Sequence, residues 1–137
     1  MDQLTVAVIN TSREIVEVLQ ELFESEGYKT CGTFTYLYKG NESHFDNFID
    51  QNKPDVIVYD IALPYESNYK LFKKLSEKMK EKKIPFVLTS TNKAALESIV
   101  GKTKTYELVG KPYDMQEILD AVRRSLKEKS SLEIAGN

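Results

Sequence analysis

Cysteine occurs once, at Cys31, histidine once, at His44, and tryptophan not at all. A single thiol excludes an internal disulfide, and without a CxxC pair or a Cys/His cluster nothing supports a zinc site. A reducing, cytoplasmic setting is expected. No apolar run approaches the roughly 18 residues a membrane-spanning helix needs, and Met1-Asp2-Gln3 leads straight into a strand with no basic segment ahead of it, so an exported or membrane-embedded chain is not expected. Glycine is sparse, with 6 residues, and neither a GxGxxG nor a P-loop pattern is present. Neither sign of charge dominates: 19 Lys and Arg face 21 Asp and Glu, for a net charge of −2, which argues against nucleic acid or an anionic membrane as partner.

What is present is a regular alternation. Residues 4 to 9 form a nearly continuous apolar run, and residues 56 to 59, 86 to 88 and 108 to 109 repeat it. Such runs suit strands covered on both faces. Between them lie i, i+3, i+4 stripes: Ile15, Val18, Leu19, Leu22, Phe23; Phe45, Phe48, Ile49; Leu71, Phe72, Leu75, Met79; and Met115, Ile118, Leu119, Val122, Leu126. A weaker helix is expected over 92 to 100 and a more polar edge strand over 28 to 34. The alternation predicts an α/β fold, a five-stranded parallel sheet with five helices on its two faces. At 137 residues the length suits one domain, placed at 1 to 129, with residues 130 to 137 as a flexible tail and 33 to 43 as a mobile surface loop. Gly27 stands where the first helix should stop, and Thr11 is the simplest N-cap for it.

In an open parallel sheet, ligands bind beyond the carboxyl ends of the strands. This chain places Asn10-Thr11, Asp60, Thr89-Ser90-Thr91 and Gly110-Lys111-Pro112 there. A carboxylate, a hydroxyl and an ammonium would converge.

On those residues the chain resembles a response regulator receiver domain of the stand-alone type, over about residues 4 to 127. The resemblance implies a flavodoxin-like doubly wound sheet of order 2-1-3-4-5. It implies that Asp60, in Asp60-Ile61-Ala62-Leu63-Pro64, accepts a phosphoryl group from a sensor histidine kinase. It further implies that Ser90 closes on that group, that Lys111 pairs with one of its oxygens, and that the Lys111–Pro112 peptide is cis. Receivers usually end their first strand in two acidic residues that hold Mg²⁺ with the phosphoacceptor. Here Asn10 and Thr11 stand there, leaving Asp60, the Asn10 amide oxygen and the Ala62 backbone carbonyl as metal ligands, and a weak or absent Mg²⁺ site is expected. Two readings follow: a phosphoacceptor that works slowly or at high Mg²⁺, or a pseudo-receiver that docks partners regardless of phosphorylation. The aromatic residue that many receivers carry three positions before the lysine is Leu108 here, with Tyr106 two residues earlier. By the same resemblance, signalling or homodimerisation would use the fourth helix, fifth strand and fifth helix, with Lys93, Glu97, Tyr106, Glu117 and Arg124 as contacts.

Blander roles exist for single residues. The lysines from Lys70 to Lys83 are interrupted by Glu77 and Glu81 and suit a solvated helix face. His44 has no catalytic company, and Cys31 suits a small core position. Phe34, Tyr36 and Tyr38 suit packing of the long loop. A flavin-binding enzyme fits poorly, because no glycine in Asn10-Thr11-Ser12-Arg13 lets backbone amides wrap a phosphate. Anion sensing at the first helix N-terminus is a further alternative.

Overall fold

The computed structural model describes residues 3–38, 40–101, 106–109 and 115–135, with 106–109 and 130–135 described by their backbone alone. Five strands, β1 (Thr5–Asn10), β2 (Lys29–Phe34), β3 (Val56–Ile61), β4 (Phe86–Ser90) and β5 (Tyr106–Val109), pair in parallel in the order β2-β1-β3-β4-β5. The helices are α1 (Arg13–Ser25), α2 (Ser43–Asn52), α3 (Tyr65–Lys78), α4 (Lys93–Val100) and α5 (Met115–Ala135). None of the described helices is long and apolar enough to cross a membrane. The expected architecture and strand order are both present.

Alternation along the strands divides the core into two layers. Val6, Val8, Val56, Val58 and Val87 pack with α1 and α5, through Val16, Leu19, Phe23, Ile118 and Val122. Ala7, Ile9, Ile57, Tyr59, Ile61, Phe86 and Leu88 pack with α2, α3 and α4, through Phe45, Ile49, Phe72, Leu75 and Leu96. The second layer is the aromatic one: Phe72 lies within 5.1 Å of the Tyr59 ring and 5.0 Å of the Phe86 ring. On the edge, β2 is only partly covered, as its polar sequence predicts. There α1 approaches so closely that a Cβ on Gly32 would stand 2.6 Å from Val16 Cγ1.

Three local expectations require correction. The cap of α1 is Ser12, whose Oγ accepts from the Ile15 amide at 3.3 Å, and not Thr11. Within residues 33 to 43, strand β2 runs on to Phe34, a 3-10 turn covers Thr35–Leu37, and Tyr38 is buried edge-on against Phe45. A core aromatic therefore anchors what reads as a surface loop. Helix α5 continues to Ala135, through most of the segment expected to be a tail. Its apolar stripe fades after Leu126, so the extension carries little hydrophobic signal; Lys129 ties this part of the helix to Asp55 at 3.8 Å. Gly27, with φ of +92°, ends α1 as anticipated.

Candidate functional site

Three of the strand ends form one rim. Asp60 lies near the end of the central strand β3 with 5% of its surface exposed, and Asn10 at the end of β1 with 3%. Register pairs Asp60 with Thr89 on β4, and Thr89 in turn with Val109 on β5. Paired residues in a parallel sheet project to the same face. Thr89 Oγ1 accordingly donates to Asp60 Oδ1 at 2.6 Å, a buried bond between an alcohol and a carboxylate.

The hydroxyl facing Asp60 is thus that of Thr89, not Ser90. Ser90 is fully buried, but it follows Phe86 and Leu88 toward the α2–α3–α4 layer. Its Oγ accepts from the Asn92 amide at 3.1 Å and donates to the Asn92 carbonyl at 3.2 Å, closing the turn that leads into α4. Asn92 then caps that helix on the Ala95 amide. In the sequence, Thr89 and Ser90 are adjacent hydroxyls at the end of a run that is apolar on both faces, so composition does not reveal the phase of the strand. The signal that separates them is parity: Val87 and Thr89 share a face with Val56, Val58 and Asp60.

A cavity of about 70 Å³ opens beside Asp60, lined among others by Thr11, Tyr59, Ala62 and Asn68. Burial pushes the Tyr59 hydroxyl far above its ordinary range, with smaller contributions from Tyr38 and Asp60, so it stays protonated. Asn68, in the first turn of α3, donates from Nδ2 to the Ala62 carbonyl at 2.8 Å. The hydroxyls of Tyr65 and Thr91 are hydrogen-bonded, joining the start of α3 to the β4–α4 turn. The peptide Leu63–Pro64, just after Ala62, is cis. Lys111 and its peptide to Pro112 lie outside the described residues.

The expected metal ligands offer a divalent cation little charge. Asn10 Oδ1 accepts from the Ser12 amide at 3.0 Å, and the Ala62 carbonyl accepts from Asn68. Among the described residues, no group of three or more His, Cys, Asp or Glu side chains is placed to hold a metal ion. Mg²⁺ sites usually combine one or two carboxylates with phosphate and water oxygens. Only Asp60, of the three expected ligands, is anionic, and the two neutral oxygens already face protein donors.

Of the expected partner surface, Lys93 and Glu97 are exposed on α4 with charged groups 4.0 Å apart. Glu117 and Arg124 sit on α5, partly and largely exposed. Tyr106 and Leu108 are placed only as backbone positions of β5, paired with Phe86 and Leu88.

A doubly wound sheet with a buried aspartate at the rim of its central strand is an architecture shared by signalling receivers and nucleotide-binding proteins, and the family must come from the sequence. The response regulator receiver domain matches residues 6–123, and the chain belongs to that family, a non-enzymatic module of two-component signal transduction. Its members interact with histidine kinases and other signalling proteins, and typically bind Mg²⁺. The response regulator GtcR of Aneurinibacillus migulanus is 24% identical over 90% of this chain and 48% of its own length. The DNA-binding transcriptional regulator NtrC of a Bradyrhizobium strain is 24% identical over 90% of the chain and 24% of its own length. The chain thus spans about half and a quarter of these relatives. Among solved structures, a receiver domain protein from Clostridium thermocellum superposes with a TM-score of 0.71 at 15% identity, over 94% of this chain and 98% of that one. The anti-anti-sigma factor PhyR of Bartonella quintana gives 0.74 at 18% identity, over 100% of this chain and 53% of its own.

Proposed function

We propose that this receiver domain accepts a phosphoryl group on Asp60 from a sensor histidine kinase and passes the change to a protein partner. The observation that carries the reading is the Thr89–Asp60 bond of 2.6 Å at the rim of the central strands. A carboxylate oxygen attacks phosphorus, the P–N bond of the donor phosphohistidine breaks with its electron pair going to the imidazole nitrogen, and that nitrogen takes up a proton from solvent. The product is an acyl phosphate. Once one Asp60 oxygen is esterified, the Thr89 hydroxyl can turn from carboxylate to phosphoryl oxygen, keeping its bond while β4 shifts. Lys111 would supply the positive charge by resemblance; Val109, two residues before it in the chain, pairs with Thr89.

The shift of β4 would reach the surface of α4, β5 and α5, with Lys93, Glu97, Tyr106, Glu117 and Arg124 as contacts for a target or a second copy. Residues 1–129 form the receiver unit in this reading, and a cytoplasmic setting accords with it. A second reading, a docking module indifferent to phosphorylation, draws support from the replacement of the acidic pair by Asn10 and Thr11.

The deciding experiment incubates the protein with a small phosphodonor, with and without Mg²⁺, and measures intact mass. One acid-stable, base-labile phosphoryl group that disappears in Asp60→Asn supports the phosphoacceptor. No modification under any condition leaves the docking module.

A further inference from the structure

Asn68 stands against the carbonyl that a receiver's cation would otherwise touch. Its Nδ2 donates to the Ala62 carbonyl at 2.8 Å, and because a carbonyl can only accept, this bond fixes which end of the amide faces inward. An amide nitrogen carries two hydrogens. No bond from the second is found among the described residues, and Asn68 lines the same small cavity as Asp60, Thr11 and Ala62. The other oxygen on the cation side, Asn10 Oδ1, is committed to the Ser12 amide, which fixes the turn after β1. Asn68 thus brings a neutral donor to the cavity where a divalent ion would have supplied charge, while the Asn10 oxygen is spent on the turn.

We propose that Asn68 replaces the divalent cation: one N–H holds the Ala62 carbonyl, and the other donates to an oxygen of the phosphoryl group arriving at Asp60, so that transfer proceeds without Mg²⁺. The inference deepens the phosphoacceptor reading and rests on it. Preorganised neutral donors aimed at developing negative charge stabilise it, and removal of one such donor commonly costs about 10²- to 10³-fold in rate. In a site open to solvent on one side a smaller loss is expected.

The test has two arms on the full chain. In the first, backbone amide spectra are recorded with Mn²⁺ alone as a paramagnetic probe. Wild type should show no selective broadening at Asp60, Ala62 and Asn68, whereas Asn10→Asp/Thr11→Asp, which restores two carboxylates, should show it. In the second, the rate of modification by a small phosphodonor is followed in chelator and in Mg²⁺. Wild type should react equally in both, and Asn68→Ala and the isosteric Asn68→Asp should each lose at least about tenfold in chelator, with amide spectra confirming that both remain folded. Selective Mn²⁺ broadening in wild type, modification that requires added Mg²⁺, or unchanged rates in both folded Asn68 variants overturns the inference and leaves Asp60 as phosphoacceptor. Absence of any modification of wild type overturns the phosphoacceptor reading itself, and Asn68's role as phosphoryl donor with it.

Discussion

Replacing Thr89 by valine and Ser90 by alanine separates two neighbouring hydroxyls that the fold uses differently. Valine keeps the branched shape of threonine in a site that is 1% exposed, so packing is nearly conserved and the lost quantity is the bond to Asp60. That bond is short, buried and made to an ionisable carboxylate. Hydrogen bonds to charged groups contribute about 1.5 to 3 kcal/mol, and Thr89→Val should destabilise by that amount at neutral pH. Ser90 bonds the backbone of Asn92, an exposed residue whose amide and carbonyl can turn to water, so Ser90→Ala should cost nearer about 1 kcal/mol. Urea unfolding gives both values, and a cycle with Asp60→Asn isolates the pair: Thr89 should couple to Asp60 and Ser90 should not. After treatment with a phosphodonor, amide shifts in α4 and α5 should vanish in Thr89→Val and persist in Ser90→Ala. Coupling of Asp60 to Ser90 with none to Thr89, or loss of the response in Ser90→Ala alone, would refute the assignment.

Other outcomes follow from the packing. Gly32→Ala should destabilise by about 1 to 3 kcal/mol in thermal or urea unfolding, because its Cβ would meet Val16 at 2.6 Å and the Gln20 side chain at 3.1 Å. Phe72→Ala should cost about 3 to 5 kcal/mol by the same assay, since this ring is fully buried against Tyr59, Tyr69 and Phe86. Alkali should unfold the chain in a defined window. Burial raises the Tyr38 hydroxyl from 10.0 to about 12 and the Cys31 thiol from 9.0 to about 11. In that window the unfolded chain releases these protons first and binds fewer than the folded one, so stability is intact below about pH 9 and falls progressively up to about pH 12. Tyr38→Phe should flatten the upper part of the decline, read as urea midpoints across pH; an unchanged slope would contradict the burial of that hydroxyl.

The helix faces and most strands were legible because the principal helices carry apolar stripes and β1, β3 and β4 are largely apolar runs, both consequences of how much surface each element buries, whereas the strand order came from the family resemblance. Asp60 was legible for the same reason, as the point where an apolar strand meets a carboxylate. Three features were hidden, each for a physical cause. A strand buried on both faces has no alternation to reveal its phase, so Thr89 and Ser90 could not be told apart without the register to β3. Asn68 lies in a polar stretch at the start of α3, and its pairing with Ala62 depends on the path of the turn through Leu63 and Pro64. Tyr38 reads as a loop aromatic because the 3-10 turn that carries it into the core is too short to show a period.

The unequal placement of rings also governs how this molecule can be watched by light. Lacking tryptophan, it must be followed through tyrosine and phenylalanine, and among the described residues the fully buried rings of Tyr38, Phe45, Tyr59 and Phe72 lie on one side of the sheet and that of Phe23 on the other. Near-ultraviolet dichroism therefore reports chiefly on the side packed by α2, α3 and α4, with Phe23 and its edge-on neighbour Tyr28 as the reporters of α1. Far-ultraviolet dichroism, which weighs all helices alike, is the necessary companion measurement, and any gap between the two curves would identify which side melts first.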